Sequence, residues 1–379
     1  MKQLRLAFAL LLTALLFGWR APQPVYAAGY VVNSLLDNTT NDSVCTLREA
    51  IQEANNGADT DCPGSPSNAD DTITFSVNGT ITLGLTLPNI VNASTAGKLT
   101  IDGTGQNITI SGNNSVRVMI VDSGADLTLR NLTIANGNAG SGGGIANSGT
   151  LTVTGSTFSG NSANFGGGIR NFSSGTLTVT GSTFSGNSAN FGGGGIANSG
   201  ALTVTNSTFS GNSATGFGGG LWNNGTLTVT NSTFSGNSAS AGGGGIYNDG
   251  TATLKNTIVA NSTSGGDCVG SLSSASNNNL IEDSTNACGL VNNSNGNILG
   301  QDPNLGALTG NPAYFPLNPG SPAMDAGDNA TCAAPPVNNQ SQNGVTRPQD
   351  GDLNGTAVCD IGAYEHSPYL YLYLPYISK

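Results

Sequence analysis

Apolar residues between positions 127 and 260 fall into columns. Leu127, Leu151, Leu177, Leu202 and Leu227 recur at steps of 24, 26, 25 and 25 residues. Phe158, Phe184, Phe209 and Phe234 keep the same spacing, as do Ile145, Ile169, Ile196, Leu221 and Ile246. Three independent columns with one period mean a repeat. Inside each copy the alternation has period two: in Leu151-Thr152-Val153-Thr154, apolar residues alternate with threonine, as a half-buried strand requires. Ser156–Ser159 reads as a second short strand and Gly168–Asn171 as a third. Glycine and asparagine clusters between them suit tight corners, and their density excludes helix.

Three strands and three corners in about 25 residues predict one rung of a right-handed parallel β-helix. Each rung buries its apolar column against the rungs above and below, about 4.8 Å away. One rung cannot hide that face alone, so the stack must be long. Asn161, Asn187, Asn212 and Asn237 hold one register, and Asn198, Asn223 and Asn248 another; both predict hydrogen-bonded asparagine ladders. Weaker strands at Ile73–Phe75, Ile81–Leu83, Leu99–Ile101, Ile108–Ile110 and Val118–Ile120, then Ala252–Leu254, Ile258, Leu280–Ile281 and Ile298–Leu299, extend the solenoid over 71–310.

Residues 28–70 are expected to cap its first rung. Thr46 and Glu49 have capping-box spacing, and Leu47, Ala50, Ile51 and Ala54 give a helix one apolar face. Residues 1–27 read as a secretory signal: a basic start, a short apolar run and small residues before a cleavage site at Ala27. The run is shorter than the roughly 20 residues of a membrane span, and no second apolar span follows. All six cysteines lie beyond the leader. An even number in an exported chain favours disulfides, and loop-closure entropy favours the local pairs Cys45–Cys62, Cys268–Cys288 and Cys332–Cys359. Residues 311–366 read as a loop-rich C-terminal domain and 367–379 as a Tyr/Leu-alternating tail.

Of 11 Lys and Arg, three leave with the leader, and eight then face 22 acids, a net −14. Such a chain is a poor partner for nucleic acid or anionic lipid. Asn131 to Asn248 contains one charged residue, Arg170.

The stretch CTLREAIQEAN at Cys45–Asn55 resembles the CSLREA motif near the start of exported bacterial repeat proteins. The GGGI and STFSGN repeats resemble the β-helix repeats of bacterial surface proteins and polymorphic outer-membrane proteins. Ser321–Gly327, Arg347-Pro348, Asp350–Asp352 and Cys359–Glu365 resemble the choice-of-anchor Q domain. These resemblances imply a surface-exposed bacterial β-helix of the pectin-lyase-like type. They imply nothing about catalysis.

That architecture often carries polysaccharide lyases and hydrolases, which need clustered carboxylates and, for a lyase, a basic residue. The clear repeats lack them. The charged early rungs offer Asp102, Arg117, Asp122, Asp126 and Arg130, with ordinary turn chemistry as the competing account of the two middle acids. Asp350, Asp352 and Asn354 have the alternate spacing of a calcium loop, but the twelfth position is Ile361 rather than an acid. Ca²⁺ there would hold the cap. His366, the only histidine, is expected at the surface. Two features suit binding. Thr152/Thr154, Thr178/Thr180, Thr203/Thr205 and Thr228/Thr230 are expected to form an outward hydroxyl grid, which resembles the threonine arrays of ice-binding β-solenoids. Threonine is also simply a soluble strand former. Trp222 and Tyr247 occupy matching outward positions and suit stacking on sugar rings. The leading expectation is a structural or adhesive surface protein contacting polysaccharide or cell-envelope components without catalysis. A polysaccharide lyase or glycosidase comes second, and an ice or crystalline-surface binder third.

Overall fold

The computed structural model describes residues 29–56, 61–62, 70–91 and 97–367. The expected leader, and all of the Tyr/Leu tail but Ser367, lie outside them. The chain winds as a parallel β-solenoid of four sheets. Sheet A has nine strands, sheet B ten, sheet C seven and sheet D five. One rung runs Thr150–Thr154 in A, Thr157–Ser159 in B, Ser162–Phe165 in D and Ile169–Asn171 in C.

Sheet D is a correction, because the repeat predicts three strands per rung. Its strands point one alanine inward, such as Ala163 or Ala189, flanked by serine and asparagine. They lack the β-branched and aromatic residues that announce a strand.

In every clear repeat the predicted columns are in register and buried: Leu151 pairs with Leu177, Val153 with Val179 and Ile169 with Ile196. Phe158, Phe184, Phe209 and Phe234 form a continuous stack, with ring centroids 4.7, 4.8 and 4.4 Å apart and planes within 7°. The stack explains the glycine run before each sheet-C strand. A Cβ on Gly195 would stand 3.0 Å from the Phe209 ring and 2.5 Å from a backbone oxygen, so a side chain there would force rungs apart.

Both asparagine ladders form. Asn161, Asn187, Asn212 and Asn237 are linked amide to amide at 2.9 Å. Asn147 and Asn171 join Asn198, Asn223 and Asn248 at 2.7–2.8 Å. Every member is buried, so each amide satisfies backbone groups at a corner that water cannot reach.

The cap helix α1 spans Leu47–Asn56. Thr46 N–H donates to Glu49 at 2.9 Å and Glu49 N–H to Thr46 Oγ1 at 3.3 Å, closing the capping box. Its Arg48 pairs with Asp37 at 2.7 Å. The stretch assigned to the cap also supplies a solenoid strand, because Gly29–Val32 pairs with Asp71–Phe75. All three disulfides join the expected pairs.

The segment after residue 300 does not continue the stack. It folds back along the outer face of sheet B. Ala313 and Gln342 accept from Thr183 and Thr208 at 2.6 Å, and Thr233 accepts from Ala363 N–H at 3.0 Å. Further along, Leu317, Ala323 and Ile361 pack on the outward Ile258, Ala260 and Leu280. The outward column of sheet B thus changes from threonine to isoleucine and leucine where cover becomes apolar.

A buried ionic cluster stiffens this segment. Arg347 has no side-chain exposure and donates to the carbonyls of Asp360, Gly362 and Tyr364 at 2.7–3.1 Å. Its Nη1 lies 3.4 Å from Glu365. Glu365 accepts from the Gln349 and Asp360 amides, and Asp360 from those of Asp325 and His366. His366, expected at the surface, is 6 % exposed, because its backbone is tied into this cluster.

Candidate binding surface

With sheet B covered, three faces remain. Sheet A presents a longer threonine column than expected: Thr72, Thr100, Thr128, Thr152, Thr178, Thr203, Thr228 and Thr253 pair rung to rung, all half-buried. The second expected column is not an open one. Thr154 is exposed and Thr180 half-buried, but Thr205 and Thr230 are buried. They sit at the A–B corner, beside Asn231 and Asn256, where the C-terminal segment docks. The open grid instead uses the strand's first position, Thr150, Thr176, Thr226 and Thr251, with Ala201 interrupting it.

The early charged residues are not brought together. Asp122 and Asp126 lie at the C–A corner, the first accepting from Asn89 at 3.1 Å and the second 3.5 Å from Lys98. Asp102 and Arg130 are register partners near the A–B corner. Arg117 sits before the sheet-C strand, donating to the carbonyls of Ser141 and Gly142 at 2.7–3.2 Å. Three corners of a rung do not make one active site.

Around the calcium-like loop, Asp325, Asp350 and Asp352 hold carboxylate oxygens within 4.8 Å of one another. Asp325 comes from a distant motif and was not foreseen. Asn354 is turned away, its amide donating to Asp352 at 2.9 Å and its carbonyl accepting from Thr356 N–H at 2.9 Å. Backbone amides of Gly351, Asp352, Asn354 and Gly355 bond the three carboxylates at 2.8–3.1 Å. The loop therefore closes on its own hydrogen bonds.

A second acidic group lies past the clear repeats. Asp267, Glu282 and Asp283 line an open cleft of about 370 Å³. Burial pushes the Asp267 carboxyl above the usual range. At Asp283 burial also pushes upward, but hydrogen bonds from Asn286 and Thr285 outweigh it and hold the group low. Sequence reading missed these acids because they are dispersed among turn residues.

The sheet C–D corner carries the most distinctive surface. Trp222 and Tyr247 are register partners on adjacent rungs and face outward, as expected. They belong to a larger ridge. Phe165 lies 5.2 Å from Phe191 and 5.6 Å from Trp222, and Phe217 lies 4.5 Å from Tyr247. The rings lie low because the residues beneath are small: Trp222 covers Gly192, and Tyr247 covers Gly242. Phe191 and Phe217 remain 54 % and 38 % exposed. Arg170 stands at one end, its guanidinium 5.3–5.6 Å from the rings of Phe165, Phe172 and Trp222. The phenylalanines went unremarked because they sit among glycines between strands, with no column of their own.

Residues 97–259 match the family model for a right handed beta helix region. No curated protein matches the chain. Among solved structures it is similar to Jun a 1, the major allergen from cedar pollen, at 15 % identity and a TM-score of 0.39, over 84 % of this chain and 89 % of that one. The chain is an all-β parallel solenoid, and its three disulfides fit a secreted or extracellular protein; no helix among the described residues is long and apolar enough to cross a membrane.

Proposed function

We propose that this is an exported bacterial surface protein whose solenoid displays the C–D aromatic ridge as a non-catalytic polysaccharide-binding platform. The observation that carries this reading is the run of Phe165, Phe191, Trp222, Phe217 and Tyr247 along successive rungs. Rings 4.5–5.6 Å apart and tilted by 34–43° to one another present a continuous apolar strip on an otherwise hydroxyl- and amide-rich surface. Sugar rings stack on such faces through their C–H surfaces, and an extended chain engages several at once, so weak contacts accumulate. The leader, the CSLREA-like cap and the choice-of-anchor-like segment support surface display, and the uncharged repeats suit a stiff, inert support. Trp222→Ala is expected to reduce retention on immobilised polysaccharide about tenfold, for a stacking loss near 1.4 kcal/mol. Tyr247→Ala is expected to cost less. Unchanged retention of both variants would remove the ridge from the account.

A second reading, polysaccharide hydrolysis, is favoured by one observation: the cleft where Asp267 is pushed up and Asp283 held down, the division of roles an acid and a base need. Shortening of a polymer by the wild type, abolished in Asp267→Asn, is the result that reading requires.

A further inference from the structure

Resting on the ridge as a glycan platform, the geometry points to a preference for an acidic polysaccharide, with a sugar carboxylate received between Arg170 and Trp222. Arg170 is the only charge between Asn131 and Asn248, and it stands at one end of the ridge, against its rings. A solvated charge would serve solubility; this guanidinium is instead packed among three rings.

Its hydrogen bonding is incomplete. Nη2 donates to Ser199 Oγ at 2.9 Å, whereas Nη1 is covered and has no partner. The indole Nε1 of Trp222 is likewise covered and without a partner, and its ring centre is 5.6 Å from the Arg170 guanidinium carbon. Covered N–H groups nearly always find an acceptor, and here two on neighbouring side chains lack one. Ring faces are weak acceptors. A carboxylate reaching the guanidinium would give Nη1 an acceptor and neutralise the cation, and the planar guanidinium fork matches it well. Phe191, more than half exposed, packs on Phe165, one of the rings against Arg170.

The protein's overall negative charge does not oppose this locally. Asp122 follows a strand two rungs from that of Arg170 on one side, and Asp249, the acid paired with Tyr247, a strand three rungs away on the other. At about 4.8 Å per rung both are beyond the Debye length of about 8 Å at physiological salt.

The test compares a uronic-acid polymer with its carboxyl-reduced form, which keeps the backbone and loses the charge. Wild type is expected to bind the acidic form about tenfold more tightly at physiological salt, the equivalent of about 1.4 kcal/mol, and to lose that preference in molar salt. Arg170→Gln is expected to bind both forms as the wild type binds the reduced one, which also shows that the variant's ridge is intact. Arg170→Lys, keeping charge without the fork, is expected to retain only part of the preference. Equal wild-type binding of both polymers, or a preference surviving in Arg170→Gln, would overturn the inference while leaving the platform. Binding of neither would remove the platform and the inference with it.

Discussion

Phe209→Ala is expected to destabilise the solenoid by about 3–5 kcal/mol, the range for emptying a buried aromatic site. Phe209 is fully buried between two parallel neighbours, 4.8 Å from Phe184 and 4.4 Å from Phe234. Removing it opens a cavity that neither neighbour can fill, because rung spacing is fixed by the ladders on either side. The glycines opposite cannot help, since they carry no side chain. In a one-dimensional stack the damage passes mainly to adjacent rungs, so hydrogen exchange should rise around residues 184–234 before it rises at the cap. Phe209→Leu, which keeps much of the volume, is expected to cost markedly less. A denaturant midpoint for Phe209→Ala within error of wild type would contradict the stacked core.

The second large effect lies in the folded-back segment. Arg347→Met is expected to cost about 3–5 kcal/mol, because it leaves buried carboxylates without their cation. Three backbone carbonyls lose their donor as well, and these belong to the loop whose Gly362 and Ala363 amides bond Asn256 and Thr233 of the solenoid. The segment should therefore detach, seen as early proteolysis between residues 300 and 366 while the repeats stay protected. Adding Glu365→Gln should recover part of the loss, since both charges are then gone.

The deficit should also depend on pH. Burial, reinforced by Glu365, pushes Asp360 up to about 8, and burial pushes Glu365 up too. Groups that hold their protons more tightly when folded contribute stability at low pH and lose it as pH climbs through the folded value. Arg347 offsets that loss by stabilising the ionised forms. The difference between wild type and variant should thus widen as pH climbs through the wild-type folded values, about 8 for Asp360, because there the wild type ionises while the variant still holds its protons. A deficit independent of pH would mean that the carboxylates are not uncompensated.

The solenoid was legible because its core is written as repeated columns whose spacing needs no tertiary knowledge. Leu151, Phe158 and Ile169 each announce their inward position by alternation. Sheet D was not legible, since a strand contributing one alanine has no pattern to read. The fold-back was written more faintly. At Ile258, Ala260 and Leu280 the outward positions of sheet B turn apolar, which is what a strand covered on both sides requires, although what covers it is set by contacts with residues about 40–100 positions later. The same covering buried Thr205 and Thr230, so the threonine pairs read from alternation alone were only partly right. Alternation reports which side a residue faces, and nothing about what lies on that side. The ridge shows the complementary failure. Trp222 and Tyr247 stood out by type and register, whereas Phe165, Phe191 and Phe217 join them only when rungs of slightly different length are stacked.

One property of the chain makes the ridge directly observable. Its two tryptophans are Trp19 and Trp222, so protein prepared from Ala28 onward carries an indole only at the ridge. Titrating that protein with a uronic-acid polymer should shift Trp222 emission saturably, at the same concentrations that retain it on the immobilised polymer, with polymer length unchanged after incubation. Retention of the protein with Trp222 emission unaltered throughout the titration would place binding elsewhere and contradict the ridge as the site.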